Sequence, residues 1–159
     1  RFEHREKEEK QRRIIGFSTI IFIIGFLIPG LDRRFGWSSI PPELVILADA
    51  LVLLGYALIF LVFRENKYAA RTIRVEKGQE VITTGPYSVI RHPMYFGSLI
   101  LYLATPIALG SYWALPPFIL MIPVFIFRIL NEEEVLLREL RGYEGYCGKT
   151  RYRLIPFIW

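Results

Sequence analysis

The chain has 159 residues, and 53% of them are hydrophobic, which gives a mean hydropathy of +0.34. That length allows one domain, and the hydropathy is high for a soluble protein. The net charge of +5 needs no nucleic acid to explain it, because basic segments beside hydrophobic ones interact well with anionic lipid. With one cysteine, Cys147, and two histidines, the sequence offers neither an intramolecular disulfide nor a zinc-type cluster, so we expect no metal.

The first predicted element is a charged segment that leads into a hydrophobic one. Residues 1–13 are highly charged, whereas residues 14–31 contain no charge. Because no small-residue cleavage site follows, we interpret residues 1–13 as a cytoplasmic helix that enters a first span, not as a signal peptide. Residues 44–63 carry only Asp49 and predict a second span, since both hydrophobic segments have about the length that crosses a bilayer.

The longest uncharged run covers residues 92–127. As one helix it would extend for about 54 Å, nearly twice the thickness of the hydrocarbon core, so it must fold back. Gly110 and Ser111 form the predicted turn, because prolines on both sides weaken the adjoining helices. The sequence therefore predicts an all-α membrane helix bundle of about four spans, at residues 14–31, 44–63, 93–109 and 112–130.

Lysine and arginine are distributed unevenly among the segments outside these spans. Six precede residue 14, six lie in residues 64–91 and six follow residue 127, whereas the loop after the first span has two and the Gly110 turn has none. By the positive-inside rule, four spans place the three rich segments in the cytoplasm. We therefore expect both termini and the polar segments 64–92 and 128–159 to be cytoplasmic.

One carboxylate falls on an apolar helical stripe in the second polar segment. Apolar residues recur at helical spacing between residues 126 and 140, and Glu133 lies on the stripe that they form. A buried carboxylate is costly unless a cation or hydrogen-bond donors satisfy it. Two interpretations stay open: Glu133 pairs with Arg91 or another arginine of the loop, or its partner is a cation of a ligand.

Other polar residues also allow a structural explanation. His92 directly precedes Pro93, and proline is favoured in the first turn of a helix, so this histidine can be a helix-entry residue without chemistry. The glycines at positions 142, 145 and 148 follow a helix and precede no strand, so they predict a turn, not a phosphate-binding loop. Four tyrosines can belong to an interfacial aromatic belt: Tyr87, Tyr95, Tyr143 and Tyr146.

Two motifs bracket the hydrophobic hairpin. Residues 84–97, Thr-Gly-Pro-Tyr-Ser-Val-Ile-Arg-His-Pro-Met-Tyr-Phe-Gly, contain the first, and Arg128 with the acidic residues 132–134 forms the second. Tyr143, Tyr146 and a basic and aromatic segment at 151–156 follow. In this order the chain resembles the isoprenylcysteine carboxyl methyltransferase and phospholipid methyltransferase family of integral membrane enzymes, whose signature is Arg-His-Pro-x-Tyr-x-Gly. The resemblance covers roughly residues 71–156.

The resemblance implies an enzyme that uses S-adenosyl-L-methionine, releases S-adenosyl-L-homocysteine, and holds the cofactor between residues 71–87 and the helix after Arg128. The catalytic residues that it implies are Arg91, Arg128 and Glu133. The cofactor-binding residues that it implies are a strand-like segment, Gln79, Glu80, Val81 and Ile82, together with Tyr87, His92, Pro93, Tyr95 and Glu133.

Methyl transfer is an in-line displacement that depends on positioning more than on proton transfer. Few candidate bases are present, which favours an acceptor that is already ionised, such as a carboxylate. The resemblance implies that this acceptor is an isoprenylcysteine-like lipid, so we predict carboxyl O-methylation of a substrate that reaches the enzyme from the bilayer. Three alternatives stay open: an N-methyltransferase of phospholipid amines, a sterol-reductase-like enzyme with a nicotinamide cofactor, and a non-catalytic membrane anchor whose arginines and glutamates only pair with each other.

Overall fold

The computed structural model describes the backbone of residues 2–68 and 75–159 and the side chains of residues 16–68 and 75–159. These residues form helices and contain no strand, so the predicted all-α class is confirmed. A short 3₁₀ turn lies at Gly85–Ser88. The α-helices are α1 (Phe2–Phe35), α2 (Pro42–Glu65), α3 (Pro93–Ala108), α4 (Leu115–Ile119), α5 (Met121–Glu139) and α6 (Tyr143–Lys149).

Three helical segments in the described part of the chain are long and apolar enough to cross a membrane: Gly16–Phe35, Pro42–Glu65 and Leu115–Glu139. The predicted span at residues 93–109 is the apolar helix α3, which has 16 residues. At about 1.5 Å per residue, α3 extends for roughly 24 Å and is shorter than a typical hydrocarbon core of about 30 Å. The predicted spans at 14–31 and 44–63 lie in α1 and α2, and the one at 112–130 is divided between α4 and α5, whereas α6 was not predicted. The number of full spans stays a prediction.

The charged start of the chain continues into the first hydrophobic segment as one helix, as predicted. This helix, α1, extends to Phe35, beyond the predicted end of the span at residue 31, because the charged residues 32–34 remain helical. Gly36 follows with a φ of +67°, a left-handed conformation that glycine adopts without steric cost and that commonly ends a helix.

The turns and loops differ from the prediction in two places. Residues 143–149, whose glycines predicted a turn, form helix α6, and Gly142 directly before it has a left-handed φ of +89°. The predicted turn at Gly110 is confirmed, with a φ of +76° and a hydrogen bond from its amide to the carbonyl of Ile107. Residues 79–83 belong to neither a helix nor a strand, so the strand-like segment that the resemblance implied forms no hydrogen-bonded ladder in the described residues. Residues 71–74 of the predicted roof over the cofactor lie outside the described residues.

The structure divides into two compact units. The first, which we call the aromatic unit, contains Arg1–Ala50 and Tyr102–Val124. Inside it α4 packs on α1, where the ring of Phe118 lies edge-on to that of Phe26 at a centroid distance of 5.5 Å. Gly25 permits this approach, because a Cβ at that position would lie 2.8 Å from the Phe118 ring.

The second, which we call the motif unit, contains Leu51–Leu101 and Phe125–Trp159. Here α2 and α3 approach closely at two glycines. A Cβ on Gly97 would lie 2.8 Å from Cγ1 of Ile59 and 3.1 Å from the carbonyl oxygen of Gly55. Small residues allow helices to pack backbone to backbone in membranes, where little hydrophobic driving force acts between them. This contact fixes the first turns of α3, which directly follow the Arg-His pair.

Candidate active site

The Arg-His pair is held by backbone hydrogen bonds to the C-terminal segment. The amide of Arg91 donates to the carbonyl of Tyr152, and the amide of His92 donates to that of Arg153, each at 2.9 Å. The carbonyl of His92 in turn accepts a hydrogen bond from the amide of Phe96 at 3.1 Å, in the first turn of α3. The motif therefore starts a helix on one side and is tied to residues about 60 positions later on the other.

Glu133 is 4% exposed and interacts with three side chains. Its Oε1 lies 2.8 Å from Nε of Arg91 and 3.3 Å from Nε2 of His92, and its Oε2 accepts a hydrogen bond from Nε of Arg153 at 2.6 Å. Of the two interpretations that the sequence left open, the structure shows the pairing with Arg91. Both carboxylate oxygens have a protein cation as partner, which offsets the cost of burying the charge.

A second chain of polar side chains links α3 to α5. Nε of Arg128 donates to Oη of Tyr95 at 3.3 Å, and that hydroxyl donates to Oε2 of Glu132 at 3.0 Å. Arg128 and Glu132 are four residues apart, so both project from the same face of α5 toward Tyr95. The sequence analysis predicted Arg128 and Tyr95 but assigned nothing to Glu132.

A cavity of about 100 Å³ lies in the motif unit. Arg128 and Glu133 are not among the described residues of its wall, and they contact that wall through Tyr95 and Arg91. Predicted site residues on the wall are Gln79, Glu80, Val81, Ile82, Tyr87, Arg91, His92, Pro93 and Tyr95. Wall residues that the sequence analysis did not assign are Asn66, Tyr68, Met94, Glu132, Leu136, Leu140, Tyr143 and Tyr146.

A second, more open groove of about 440 Å³ lies beside the cavity and shares Gln79, Glu80, Val81 and Tyr146 with it. Pockets for small ligands commonly measure about 300–1,000 Å³. The cavity alone is smaller than that range, and the cavity and groove together fall within it. Arg141 and Lys149 add positive charge to the groove.

Tyrosines on α6 are buried in the protein and are not part of an exposed interfacial belt. Tyr143 and Tyr146 pack with Leu140, with Tyr87 and other partly buried side chains against them. Oη of Tyr146 donates to the carbonyl of Tyr87 at 2.7 Å. Burial raises the pKa of Tyr87, Tyr143 and Tyr146, and the negative charge of Glu133 raises that of Tyr143 further, so these hydroxyls stay protonated at neutral pH.

Curated relatives match a little over half of the chain. A Δ14-sterol reductase of Mus musculus is 30% identical over 91 residues, which are 55% of this chain and 22% of that protein. A probable protein-S-isoprenylcysteine O-methyltransferase of Oryza sativa subsp. indica is 35% identical over 88 residues, which are 54% of this chain and 46% of that protein. The chain thus spans less than half the length of these relatives.

A solved structure of a eukaryotic intramembrane Ras methyltransferase, isoprenylcysteine carboxyl methyltransferase, has the same fold. The TM-score is 0.69 over 88% of this chain and 52% of that one, with 24% sequence identity. This likeness and the three apolar helices show an integral membrane protein with an all-helical fold. The model of the phospholipid methyltransferase family matches residues 44–142, which are 99 of the 159 residues. The chain therefore belongs to the phospholipid methyltransferase family.

Proposed function

We propose that this chain transfers the methyl group of S-adenosyl-L-methionine to a lipophilic acceptor, and that the acceptor is the carboxylate of an isoprenylcysteine-like lipid. The observation that carries the proposal is the cavity, whose wall gathers the Arg-His-Pro-x-Tyr motif, residues 79–82 and the α5 carboxylate Glu132 from three separate segments. Family membership supports methyl transfer, and the similarity to the probable rice protein-S-isoprenylcysteine O-methyltransferase supports this acceptor.

The cavity wall fits the polar groups of this cofactor, which supplies an electrophilic methyl group when it is bound. Glu132 can accept hydrogen bonds from the ammonium or the ribose hydroxyls, and Arg91 suits the carboxylate. Tyrosine faces attract a sulfonium by about 0.5–2 kcal/mol. In this proposal Gln79, Glu80, Val81, Ile82, Tyr87, His92, Pro93 and Tyr95 form the rest of the cofactor site.

In this proposal Glu133 and Arg128 do not line the cavity and instead contact the wall residues Arg91 and Tyr95. The ion pair at 2.8 Å lets Glu133 hold the guanidinium of Arg91 in place at the cavity. The hydrogen bond to Tyr95 holds Arg128 beside the wall, and its planar guanidinium suits an acceptor carboxylate. Such an acceptor is ionised at neutral pH, so the transfer needs close positioning and no general base.

The orientation that we propose places the cavity on the cytoplasmic side. Residues 64–91 and the chain after residue 127 supply most of its wall, and these are two of the three segments that are rich in lysine and arginine. The positive-inside rule favours the cytoplasm for them. The lipophilic acceptor would then approach from the bilayer, where α5 exposes apolar side chains such as Phe127 and Leu130.

Two other functions have support of their own. An N-methyltransferase of phospholipid amines belongs to the same family, but an amine acceptor would need a general base. His92 is the histidine on the cavity wall, and its Nε2 already has a partner in Glu133 at 3.3 Å. A nicotinamide-dependent reductase is supported by the match to the mouse sterol reductase, which extends over only 22% of that protein.

Ligand binding to the detergent-purified protein separates these functions. We expect calorimetry to show micromolar affinity for S-adenosylhomocysteine and no binding of NADPH. With labelled S-adenosylmethionine, we expect methyl groups on a farnesylcysteine derivative and none on phosphatidylethanolamine vesicles. Protein with native helical circular dichroism that binds NADPH, and not S-adenosylhomocysteine, would support the reductase. Label on phosphatidylethanolamine alone would show an amine acceptor.

A further inference from the structure

Among the buried polar side-chain atoms of the described residues, the hydroxyl of Tyr143 stands out. The side chain is 4% exposed and lies on the cavity wall, yet its Oη has no hydrogen-bond partner. The other buried atom without a geometric hydrogen bond, Nε of Arg91, lies 2.8 Å from the carboxylate of Glu133 and so has a charged partner. Burying a hydroxyl without a partner costs free energy, so such an atom on a cavity wall indicates a partner that binds there.

Tyr143 differs in this respect from the other tyrosines of the same wall. Tyr146 donates to the carbonyl of Tyr87 at 2.7 Å, and the hydroxyl of Tyr87 accepts a hydrogen bond from Asn66 at 2.8 Å. Tyr95 donates to Glu132 at 3.0 Å, and Tyr68 donates to the carbonyl of Gly78 at 3.4 Å. The protein thus supplies partners for four of these hydroxyls and none for the fifth, that of Tyr143, on the same wall.

The chemistry of the missing partner follows from the donor and its surroundings. A tyrosine hydroxyl that stays protonated at neutral pH can donate a hydrogen bond. Arg91 lines the same cavity and adds a positive charge near Tyr143, whereas Glu132 provides an acceptor on the α5 side. One wall therefore offers donors and a cation for a carboxylate, and an acceptor for an ammonium. This pattern complements the zwitterionic end of an amino acid.

We propose that Oη of Tyr143 donates a hydrogen bond to the carboxylate of the amino-acid part of the cofactor, beside Arg91. This proposal rests on the proposed function and gives Tyr143 a role that the family resemblance does not assign to it. Two carboxylate contacts make the site selective for cofactor analogues that keep the amino-acid group, because an analogue without it loses the contact with Arg91 and leaves the buried hydroxyl of Tyr143 without a partner.

The test combines Tyr143→Phe with S-adenosylhomocysteine and its decarboxylated analogue, which retains the ammonium. We expect Tyr143→Phe to weaken S-adenosylhomocysteine about tenfold, or about 1.4 kcal/mol, and to leave the affinity for the decarboxylated analogue within about twofold. The four affinities form a cycle that isolates the interaction of the hydroxyl with the carboxylate. Without ligand, we expect the midpoint of thermal unfolding to stay the same or rise, since phenylalanine removes a buried hydroxyl that has no partner.

Tyr146→Phe is the matched control, because it removes a hydroxyl from the same helix that does have a partner. We expect this variant to lower the midpoint of unfolding and to weaken both ligands by the same factor. If wild type and Tyr143→Phe bound S-adenosylhomocysteine equally, the role of Tyr143 would be wrong and the proposed function would stand. The same conclusion would follow if Tyr143→Phe weakened both ligands by the same factor. Failure of folded wild-type protein to bind S-adenosylhomocysteine would overturn the proposed function, and this inference with it.

Discussion

Each unit of the molecule contains a buried carboxylate with three hydrogen-bonding or charged interactions, and their partners differ in kind. In the aromatic unit, Asp32 is 1% exposed and lies in the last turn of α1. Its oxygens accept hydrogen bonds from the amide and the hydroxyl of Ser38, each at 2.6 Å, and from the hydroxyl of Ser111. All three donors are neutral, so the carboxylate ties the end of α1 to the following loop and to the turn before α4.

In the motif unit, Glu133 instead has Arg91, Arg153 and His92 around it. Two of these partners, Arg91 and His92, also line the cavity. Burial alone therefore does not identify a functional carboxylate, since both Asp32 and Glu133 are buried. Asp32 joins two loops to a helix end through neutral donors. Glu133 instead balances the positive charge of Arg91, which lines the cavity. Loss of Asp32 should therefore affect folding alone, and loss of Glu133 should affect folding and binding together.

The largest effect that we expect comes from Glu133→Gln. This change removes the negative charge between Arg91, which is 8% exposed, and Arg153. Because an unbalanced buried cation is strongly unfavourable, we expect the free energy of unfolding to fall by about 3 kcal/mol. Affinity for S-adenosylhomocysteine should fall at least about tenfold, since Arg91 is no longer fixed at the cavity wall. Thermal unfolding and calorimetry in the same detergent measure the two effects.

The neighbouring Glu134→Gln provides a matched control. Glu134 pairs with Arg138 one helical turn away, and both side chains are 59% exposed. An exposed pair of this kind contributes about 0.3–0.5 kcal/mol, and we expect no change in ligand affinity. If Glu133→Gln lowered stability no more than Glu134→Gln does, the buried ion pairs would not stabilise the motif unit as we infer.

An intermediate effect is expected for Asp32→Asn. The amide keeps one acceptor oxygen and loses the charge that strengthens the hydrogen bonds from Ser38 and Ser111. We expect the midpoint of thermal unfolding to fall by on the order of a few degrees, less than for Glu133→Gln, with unchanged affinity for S-adenosylhomocysteine. Weakened binding by a variant that is fully folded at the assay temperature would contradict the structural role that we assign to Asp32.

The sequence was sufficient to predict the long helices and about half of the cavity wall. Uncharged runs predicted the apolar parts of α1, α2 and α5, and the length of the third run required a turn, which the structure has at Gly110. The motif brought Arg91 to Tyr95 into one site, because a helix start and a tight turn constrain these residues locally. These features depend on neighbours within a few positions, which a sequence displays directly.

The sequence was not sufficient where a residue depends on distant partners. Asp32 reads as an ordinary charge after a span, and its partner Ser111 is 79 positions away. Glu132 and Glu133 are neighbours in an acidic run, yet a helix turns by about 100° per residue, so one faces Tyr95 and the other faces Arg91. The hydroxyl of Tyr143 stands out only because the other four tyrosines of the cavity wall have hydrogen-bond partners, which the sequence does not show.

Apart from the control Glu134→Gln, the smallest effect that we expect belongs to Arg153→Gln, which tests which cation balances Glu133. The side chain of Arg153 is 36% exposed, and its guanidinium also lies 5.5 Å from the ring of Trp159. Because solvent screens this pair and Arg91 remains beside the carboxylate, we expect a loss of about 1 kcal/mol and at most a threefold change in ligand affinity. Arg153→Lys should recover part of that loss, since it keeps the charge but not the planar stacking on the ring.

If Arg153→Gln cost as much stability as Glu133→Gln, the exposed arginine and not Arg91 would be the main counter-charge. The inference that Glu133 positions Arg91 at the cavity wall would then be wrong. Glu133 and Asp32 would differ only in how much each contributes to the free energy of unfolding.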